Sequence, residues 1–263
     1  MRMTHLAAYD RDLRTDAEVR HALSVVAHGP LRLAVFPGGH GFVSYADLDG
    51  LDSGDIETLV DVALAHFMHS SGIDSIEWKT RGHDHAPGLG HALETRGFVP
   101  EDPESVMIGE AALLAQPVDL PAGVELRRAR TDAEVYAMEE MQGRVFDDPR
   151  WRVRAETTLQ RIREDDSVEL WTAVADGQVV SAGRLEPVAG TRFAGLWGGA
   201  TMPEWRGRGI YRALTAQRAR SALAIGKTYL QSDCTEFSRP ILERAGLVKV
   251  STTTPYVWTR PAD

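Results

Sequence analysis

The sequence predicts an α/β protein with a mixed (α+β) sheet, built from two related halves, and three observations support this fold class. Apolar and polar residues alternate over 168–202 on both sides of an Asp-Gly turn, which predicts a series of antiparallel strands. Apolar residues at helical spacing over 209–225 then predict a long helix. Two prolines and a glycine interrupt the periodic pattern at 115–123, and this break predicts a linker between the halves.

The second half reads as a series of strands and helices, each predicted by its own pattern. Thr131 and Glu134 form the pattern of a capping box, and the apolar residues after them recur at helical spacing. Gly246 is typical of the residue that ends a helix. The predicted elements are a strand over 123–129, helices over 131–145 and 152–164, strands over 168–177, 178–188 and 191–202, a helix over 209–225, a strand over 228–234, a helix over 238–246, and two closing strands over 247–250 and 253–258.

The first half repeats parts of the second half in the same order. Residues 14–19 are identical to 130–135, and both copies are predicted to begin a helix with the same capping residues. Residues 56–72 match 210–226 in length, and 93–99 parallels 242–248. Three matches in one order predict a duplicated unit. The offset between the copies grows from 116 to 154 residues between the first two matches, so the N-terminal copy is expected to be abbreviated. We predict domains at 1–115 and 122–263.

Composition and charge limit the classes of function. The chain has 263 residues, a net charge of -9 and a single cysteine, Cys234, so no intramolecular disulfide can form. No stretch reaches the roughly 18 apolar residues of a membrane span, and we expect a cytoplasmic protein that contacts no membrane. Residues 1–115 carry a net charge of -10, which disfavours nucleic acid and favours a cationic amine or a basic protein; a solvated acidic surface is the alternative.

Two glycines and two arginines, Arg206-Gly207-Arg208-Gly209, stand directly before the long helix predicted at 209–225. The first turn of a helix leaves backbone N–H groups without partners and carries a partial positive charge, so it binds phosphate. The glycines would allow close approach and the arginines would add charge. A surface turn is the alternative. The stretch lacks the Gly-Lys-Ser/Thr of a Walker A motif and the three-glycine spacing of a dinucleotide site.

In combination, these residues resemble the GNAT acyltransferase superfamily over about 122–260. The matching motifs are Thr201-Met202-Pro203, Arg206 to Tyr211, and Leu242-Glu243-Arg244-Ala245-Gly246-Leu247. The resemblance implies a tandem GNAT fold with a degenerate N-terminal half, and direct acetyl transfer from acetyl-CoA to the primary amine of a small molecule or protein. It implies that the pyrophosphate is held by the backbone of Arg206, Gly207, Arg208, Gly209, Ile210 and Tyr211, and the pantetheine arm by Ala200 and Thr201.

Three positions depart from the family pattern. Tyr211 stands where the motif usually has Gly or Ala and could crowd the phosphate, Leu242 replaces the tyrosine that many relatives use as an acid, and Gly195 replaces a strand glutamate used as a base. The candidates for the base are therefore Asp233, Glu236 and Glu186, with a solvated or capping role as the alternative for each; Ser238 and Tyr256 are weaker proton donors. A sensor or scaffold that binds acyl-CoA without turnover is the alternative function.

The first half is not expected to bind CoA. Its counterpart of the glycine-arginine stretch is Asp52-Ser53-Gly54-Asp55, whose carboxylates would repel phosphate. We expect this half to serve as a packing partner, a substrate wall or the surface of a homodimer. All nine histidines lie here, but without a metal-binding frame we expect no metal, and Asp84 is a candidate N-cap instead.

Overall fold

The computed structural model describes residues 2–261, and their contacts divide the chain into two compact units. Unit 1 consists of the chain up to Val106, the short segment Asp233–Glu236, and the chain from Lys249 onwards; unit 2 consists of Met107–Ser232 and Phe237–Val248. The domain limits expected from the sequence, 1–115 and 122–263, stay predictions. No helix within residues 2–261 is both long and apolar enough to cross a bilayer.

Unit 1 is a mixed sheet with helices around it. Its helices are α1 (Arg2–Asp12), α2 (Ser53–Met68) and α3 (Leu89–Glu94), and its strands are β1 (Ser24–His28), β2 (Leu31–Phe36), β3 (His40–Tyr45), β4 (Ser75–Arg81), β5 (Val99–Pro100), the start of β6 (Glu104–Glu110), and nearly all of β12 (Val248–Thr259). Strands β1, β2 and β3 are antiparallel, β3 and β4 are parallel, and β4 pairs antiparallel with β12. The apolar face of α2 buries Val60 and Phe67 in a core that contains Trp78 and Tyr45.

A network of buried charges lies beside this core. Arg81 donates to Glu18 and, at 3.2 Å, to the Tyr9 hydroxyl, while Lys79 Nζ lies 2.6 Å from Asp233 Oδ2. Burial alone would lower the pKa of Lys79, but the Asp233 carboxylate together with Tyr9 and Glu18 outweighs burial and raises it. Burial alone would raise the pKa of Glu18, but Arg81 and Lys79 outweigh burial and lower it. The pairing keeps these buried groups ionised.

Unit 2 begins with the end of β6 and continues through the second half of the chain. Its helices are α4 (Ala111–Leu114), α5 (Asp132–Phe146), α6 (Trp151–Glu164), α7 (Ile210–Ala224) and α8 (Arg239–Arg244), and its strands are β7 (Val124–Ala129), β8 (Glu169–Ala175), β9 (Gln178–Pro187), β10 (Phe193–Thr201) and most of β11 (Tyr229–Cys234). Strands β8 to β10 form the predicted antiparallel meander, β7 pairs antiparallel with β8, and β10 pairs in parallel with β11.

Helices cover the sheet of unit 2 with two separate apolar clusters. Val135 and Met138 of α5 pack with Leu159 of α6 and Ala182 of β9. Ile210, the first residue of α7, packs instead with Val180 and with residues of β7 and β8. The glycine at position 177 has a φ of 76° in the turn between β8 and β9, as the Asp-Gly turn predicts.

Two predictions about local structure are wrong. Thr15 accepts a hydrogen bond from Ala17, but the residues after it form only a single 3₁₀ turn, Asp16–Val19, because the Glu18 carboxylate binds Arg81 and Ser44 instead of completing a capping box. Its counterpart Thr131 has the complete box and begins the 15-residue helix α5. The two closing strands predicted over 247–250 and 253–258 are one strand, β12, because a run of β-branched residues bridges them.

Candidate functional site

The first turn of α7 presents backbone N–H groups that have no partner in residues 2–261. Gly209 is the N-cap residue and no side chain caps the helix. The first amide of the segment that bonds within the helix is Ala213 N–H, which donates to Gly209 O at 2.9 Å. The amides between Gly207 and Arg212 therefore point away from the helix without an acceptor. Such a helix start attracts an anion.

Gly207 and Gly209 give this turn its shape. Their φ angles are 73° and 80°, in the left-handed region where a side chain is strained. A Cβ atom at Gly207 would meet nothing within 4 Å, and one at Gly209 would lie 3.8 Å from Asp119 O, so space does not require glycine at either position. The positive φ angle is what requires glycine at both positions. Gly207 and Gly209 therefore allow the backbone turn that leads into α7.

The two arginines of the stretch are exposed and differ in their contacts. Arg206 Nε donates to Thr201 O at 3.1 Å, which ties the turn to the end of β10. The Arg208 guanidinium lies 4.8 Å from the centroid of the Trp205 ring. Each guanidinium keeps N–H groups for an incoming anion. We call the amides of Gly207–Arg212, with these two arginines, the α7 cradle.

Strand β10 separates from β11 just before the α7 cradle. Paired residues end at Gly195 and Gln231, although β10 continues to Thr201. The Ser232 hydroxyl donates to Leu196 O at 3.0 Å at the point of separation. Beyond it, Ala200 O accepts from the Ser181 hydroxyl at 2.7 Å, and that hydroxyl also contacts Thr201 Oγ1 at 2.8 Å. The β11 side of β10 is therefore open at its C-terminal end.

A β-bulge interrupts β10 between Trp197 and Ala200, and two side chains hold it. The Gln142 amide, buried on α5, donates to Gly198 O. The Tyr211 ring, from the first turn of α7, packs on Gly199, where a Cβ atom would lie only 2.8 Å from Tyr211 Cε2. Tyr211 is thus turned towards β10, and the missing side chain at Gly199 makes room for it.

Gly195 provides room for an aromatic ring in the same way. A Cβ atom at this position would collide with Trp197 Nε1 and lie 2.7 Å from Trp197 Cε2. The indole of Trp197 therefore covers the strand position where relatives with a glutamate base carry their carboxylate. Leu242, at the position of the usual tyrosine, is a buried core residue with 1% exposure. Neither position can handle a proton.

The three carboxylates proposed as bases lie in different surroundings. Asp233, in unit 1, is 3% exposed and accepts from Lys79. Glu236, also in unit 1, is exposed and lies 3.4 Å from the Ser105 hydroxyl. Glu186, in unit 2, is bound by Arg161 at 2.8 Å and by Arg184. Asp233 and Glu186 are therefore each engaged in ion pairs, whereas the contact given for Glu236 is with a hydroxyl.

The counterpart of the α7 cradle in unit 1 is the start of α2, and its backbone amides are capped by a side chain of the protein. Asp52 caps α2, accepting from Gly54 and Asp55 at 2.8 and 2.9 Å, and the Asp55 side chain accepts from Asp52 N–H in return. The amides that would bind phosphate are therefore satisfied by the protein's own carboxylate. This arrangement supports the expectation that the first half binds no CoA.

The histidine-rich loop of unit 1 is an ion-pair cluster. Asp84 is not an N-cap, because its carboxylate binds Arg14 at 2.7 and 2.8 Å and α3 begins only at Leu89. His83 contacts Ser251 Oγ at 2.6 Å and Asp10 at 3.1 Å. In the part of the chain that the structure describes, no three His, Cys, Asp or Glu side chains are placed to hold a metal ion.

Sequence reasoning missed several residues around the bulge. No sequence pattern predicted the contacts of Gln142 and Trp197 with β10, because a single polar or aromatic residue is compatible with many roles. The pair Gly198-Gly199 inside a predicted strand was a usable signal, since adjacent glycines there often mark a bulge or a close approach of backbone. Arg218 of α7 was hidden within an apparently ordinary helical pattern.

The fold and the cradle together define a mixed-sheet α/β protein with an uncapped helix start next to the place where β10 separates from β11. Residues 133–246 match the model of the acetyltransferase (GNAT) family. Residues 133–246 therefore form a GNAT-family acetyltransferase domain, and the predicted fold is confirmed. No curated protein matches the chain.

Solved structures similar to this chain carry the same fold. A GCN5-related N-acetyltransferase from Kribbella flavida aligns with a TM-score of 0.69 and 16% identity, covering 100% of this chain and 96% of the other. A GCN5-related N-acetyltransferase from Sphaerobacter thermophilus gives 0.64 and 18%, covering 100% and 93%. A tandem GNAT protein from the clavulanic acid biosynthesis pathway gives 0.62 and 15%, covering 91% and 83%. At these identities the likeness concerns the fold.

Proposed function

We propose that the protein is an N-acetyltransferase that moves the acetyl group of acetyl-CoA directly to a primary amine. The observation that carries this proposal is the α7 cradle. It is an uncapped helix start that follows two glycines with positive φ and lies beside the open end of β10. The amine belongs to a small molecule or to a protein. A cytoplasmic location stays the sequence-based expectation.

The residues of unit 2 suit acetyl-CoA as a substrate. The amides of Gly207, Gly209, Ile210 and Tyr211 would donate to the pyrophosphate, with Arg206 and Arg208 adding charge. The open side of β10, at Ala200 and Thr201, would pair with the amide groups of the pantetheine arm as an added strand does. Tyr211 does not cover the cradle, because its ring is packed on Gly199.

The chemistry requires little from the protein beyond orientation and a route for one proton. The neutral amine attacks the thioester carbonyl carbon, the C–S bond breaks, and the amine loses its proton to a base or to water. Holding the reactants together supplies much of the rate. Asp233, Glu236 and Glu186 stay the candidates for the base, and substitution by Asn or Gln tests each one separately.

Calorimetry with CoA and thiol release from acetyl-CoA test the proposal. We expect one CoA per chain, and thiol release that depends on an added amine from a panel of a polyamine, an amino sugar and a lysine peptide. Absence of CoA binding would overturn the proposal. Binding without turnover of any amine would favour the sensor, and release from succinyl-CoA in preference to acetyl-CoA would change the acyl donor. Two CoA per chain would contradict the role given to the first half.

A base is recognised by its effect on the pH profile. If one carboxylate takes the proton, its Asn or Gln variant loses turnover most at the pH values where the wild-type carboxylate is ionised, differs least from the wild type at low pH, and keeps its affinity for CoA. If all three variants retain wild-type kcat, the proton leaves through water. Sedimentation of the purified protein decides whether it is a homodimer.

A further inference from the structure

One face of the β9–β10 pair, the face that points away from α7, carries an arginine beside a tryptophan. Gly183 of β9 faces α7, because a Cβ atom there would lie 2.7 Å from Arg218 Cζ. Side chains alternate along a strand, so the next residue, Arg184, points to the opposite face. Its cross-strand partner on β10 is Trp197, and directly paired residues share a face. Arg184 and Trp197 are therefore neighbours on the side of the sheet that α7 leaves uncovered.

The Arg184 guanidinium is held at one edge only. Its Nε donates to Glu186 Oε1, and Arg161 of α6 donates to the same oxygen at 2.8 Å. No other acceptor within residues 2–261 receives a hydrogen bond from the Arg184 guanidinium, so its terminal nitrogens Nη1 and Nη2 keep their N–H groups for a ligand. The side chain is 22% exposed, and a small molecule can therefore reach this end of the guanidinium from solvent.

A second donor lies beside this guanidinium. The indole of Trp197 is folded over Gly195, where a Cβ atom would lie 2.7 Å from Trp197 Cε2. Among the described residues, no acceptor receives a hydrogen bond from the Trp197 indole N–H, and the ring is partly exposed. A guanidinium and an indole N–H donate hydrogen bonds and accept none. Two neighbouring groups of this kind favour an anion, which accepts several hydrogen bonds at once.

Under the proposed function, this pair of donors lies next to the acetyl group. The pyrophosphate would be bound at the α7 cradle, and the pantetheine arm would run from there along the open side of β10. The open side ends where β10 joins β11, at Gly195. The thioester would therefore lie close to Leu196, between Gly195 and Trp197. Because α7 packs on the other face of β9 and β10, the acceptor would approach from the face of Trp197.

We propose that the acceptor carries a carboxylate close to its amino group, as an α-amino acid does, and that Arg184 and Trp197 bind this carboxylate. This inference rests on the proposed function and names the class of its acceptor. Directly paired residues of neighbouring strands lie about 5 Å apart, so only a few bonds separate the amine from the carboxylate. The Glu186 carboxylate fixes the guanidinium at Nε, and the Nη1–Nη2 pair then matches the two oxygens of a carboxylate.

Matched acceptors test the class. Leucine is compared with isopentylamine, which lacks only the carboxylate, and with leucinamide, which keeps its size without the charge. We expect kcat/KM for thiol release from acetyl-CoA to be about 10- to 100-fold higher for leucine, the effect of one hydrogen bond to a charged group. Equal or higher values for the two uncharged analogues would overturn the inference and leave the proposed function standing. A preference for aminomethylphosphonate over glycine would overturn the choice of a carboxylate.

Arg184→Met tests the residue that binds the carboxylate. We expect KM for leucine to rise about 10- to 100-fold, with KM for acetyl-CoA and kcat/KM for isopentylamine unchanged. Trp197→Phe keeps an aromatic ring, removes the N–H and should raise the same KM by less. Arg163→Met is the matched control, because it removes an arginine that pairs with Asp132 on the exposed surface of α6. Its constants should equal those of the wild type. An equal loss for leucine and isopentylamine in Arg184→Met would contradict the proposal.

Saturation-transfer NMR measures carboxylate binding without turnover. The probe is N-acetylglycine, and N-methylacetamide is the matched compound without a carboxylate. With CoA present, we expect a signal from N-acetylglycine alone in the wild type, and its loss in Arg184→Met. A wild-type protein that binds CoA but not N-acetylglycine would overturn the inference, and one that does not bind CoA would overturn the proposed function as well. If circular dichroism shows that Arg184→Met is unfolded, the comparisons made with the wild type decide the proposal.

Discussion

The substitution Gly209→Ala tests two roles of the glycine that precedes α7: its contribution to stability and its contribution to CoA binding. Its φ of 80° strains an alanine by about 1–2 kcal/mol, and because the nearest atom to the new Cβ is Asp119 O at 3.8 Å, the loss comes from backbone strain alone. For a domain of this size, we expect the melting temperature to fall by about 2–8 °C.

The same strain should disturb the α7 cradle. If the backbone relaxes by rotating the amides at the helix start, at least one hydrogen bond to phosphate is lost. A hydrogen bond to a charged group contributes about 1.5–3 kcal/mol, so the affinity for CoA should fall by about 10- to 100-fold. Scanning fluorimetry measures the first effect, and calorimetry with CoA measures the second.

Gly226→Ala is the matched control at the other end of α7. Its φ is 78° and a Cβ atom would meet nothing within 4 Å, so its strain should equal that of Gly209→Ala. We expect a similar fall in melting temperature and no change in the affinity for CoA. If both variants lose the same affinity, or if Gly209→Ala binds CoA as the wild type does, the assignment of these amides to phosphate is refuted.

Three further predictions concern the other helix start, the buried charges and the missing base. Asp52→Ala removes the α2 cap and should lower the free energy of unfolding by about 1 kcal/mol in urea titrations, whereas a calorimetric stoichiometry still of one CoA per chain is expected. Glu18 has a lowered folded-state pKa, so its ion pair with Arg81 stabilises the protein above the unfolded-state pKa of about 4.3 and loses this effect as the pH falls through the folded-state value. Glu18→Gln should therefore be less stable than the wild type at pH 7, and the gap should narrow in urea titrations below pH 4; a constant gap would exclude the linkage. Gly195→Glu should not add a base, because its side chain collides with Trp197: we expect a lower melting temperature and no rise in thiol release, and a rise would show that the indole moves aside.

The elements that could be predicted from the sequence are those whose patterns are local. The meander from β8 to β10 was confirmed, because alternation and an Asp-Gly turn act within a few residues. The cradle was expected at Arg206–Tyr211 for the same reason, since an uncapped helix start after a strand is a local feature.

The failures share a cause in distant contacts. Thr15 and Thr131 are the second residues of the same six-residue sequence, yet only Thr131 starts a long helix, because Glu18 forms a buried ion pair with Arg81, far along the chain. Asp84 likewise binds Arg14 rather than a helix start. Propensity cannot reveal a partner that lies about 60 or 70 residues away.

The contacts around β10 were hidden for a different reason. A glycine inside a strand is normally interpreted as destabilising the strand. Here Gly195 makes room for the Trp197 ring, and Gly199 makes room for the Tyr211 ring. Tyr211 and Gly199 form a complementary pair: the bulky residue at the family's small position is matched by an absent side chain on the strand. Only coordinates show that the two exceptions compensate each other.

The membership of β12 in unit 1 has a consequence for biosynthesis. This strand follows all the other strands described here, yet it supplies the antiparallel neighbour of β4 from Ser75 to Arg81. The portion that leaves the ribosome first cannot complete its sheet until residues 248–259 have been synthesised, and until then the edge of β4 offers unpaired peptide groups. A fragment ending at residue 115 should for this reason aggregate, and a separately supplied peptide spanning 249–261 should restore its solubility.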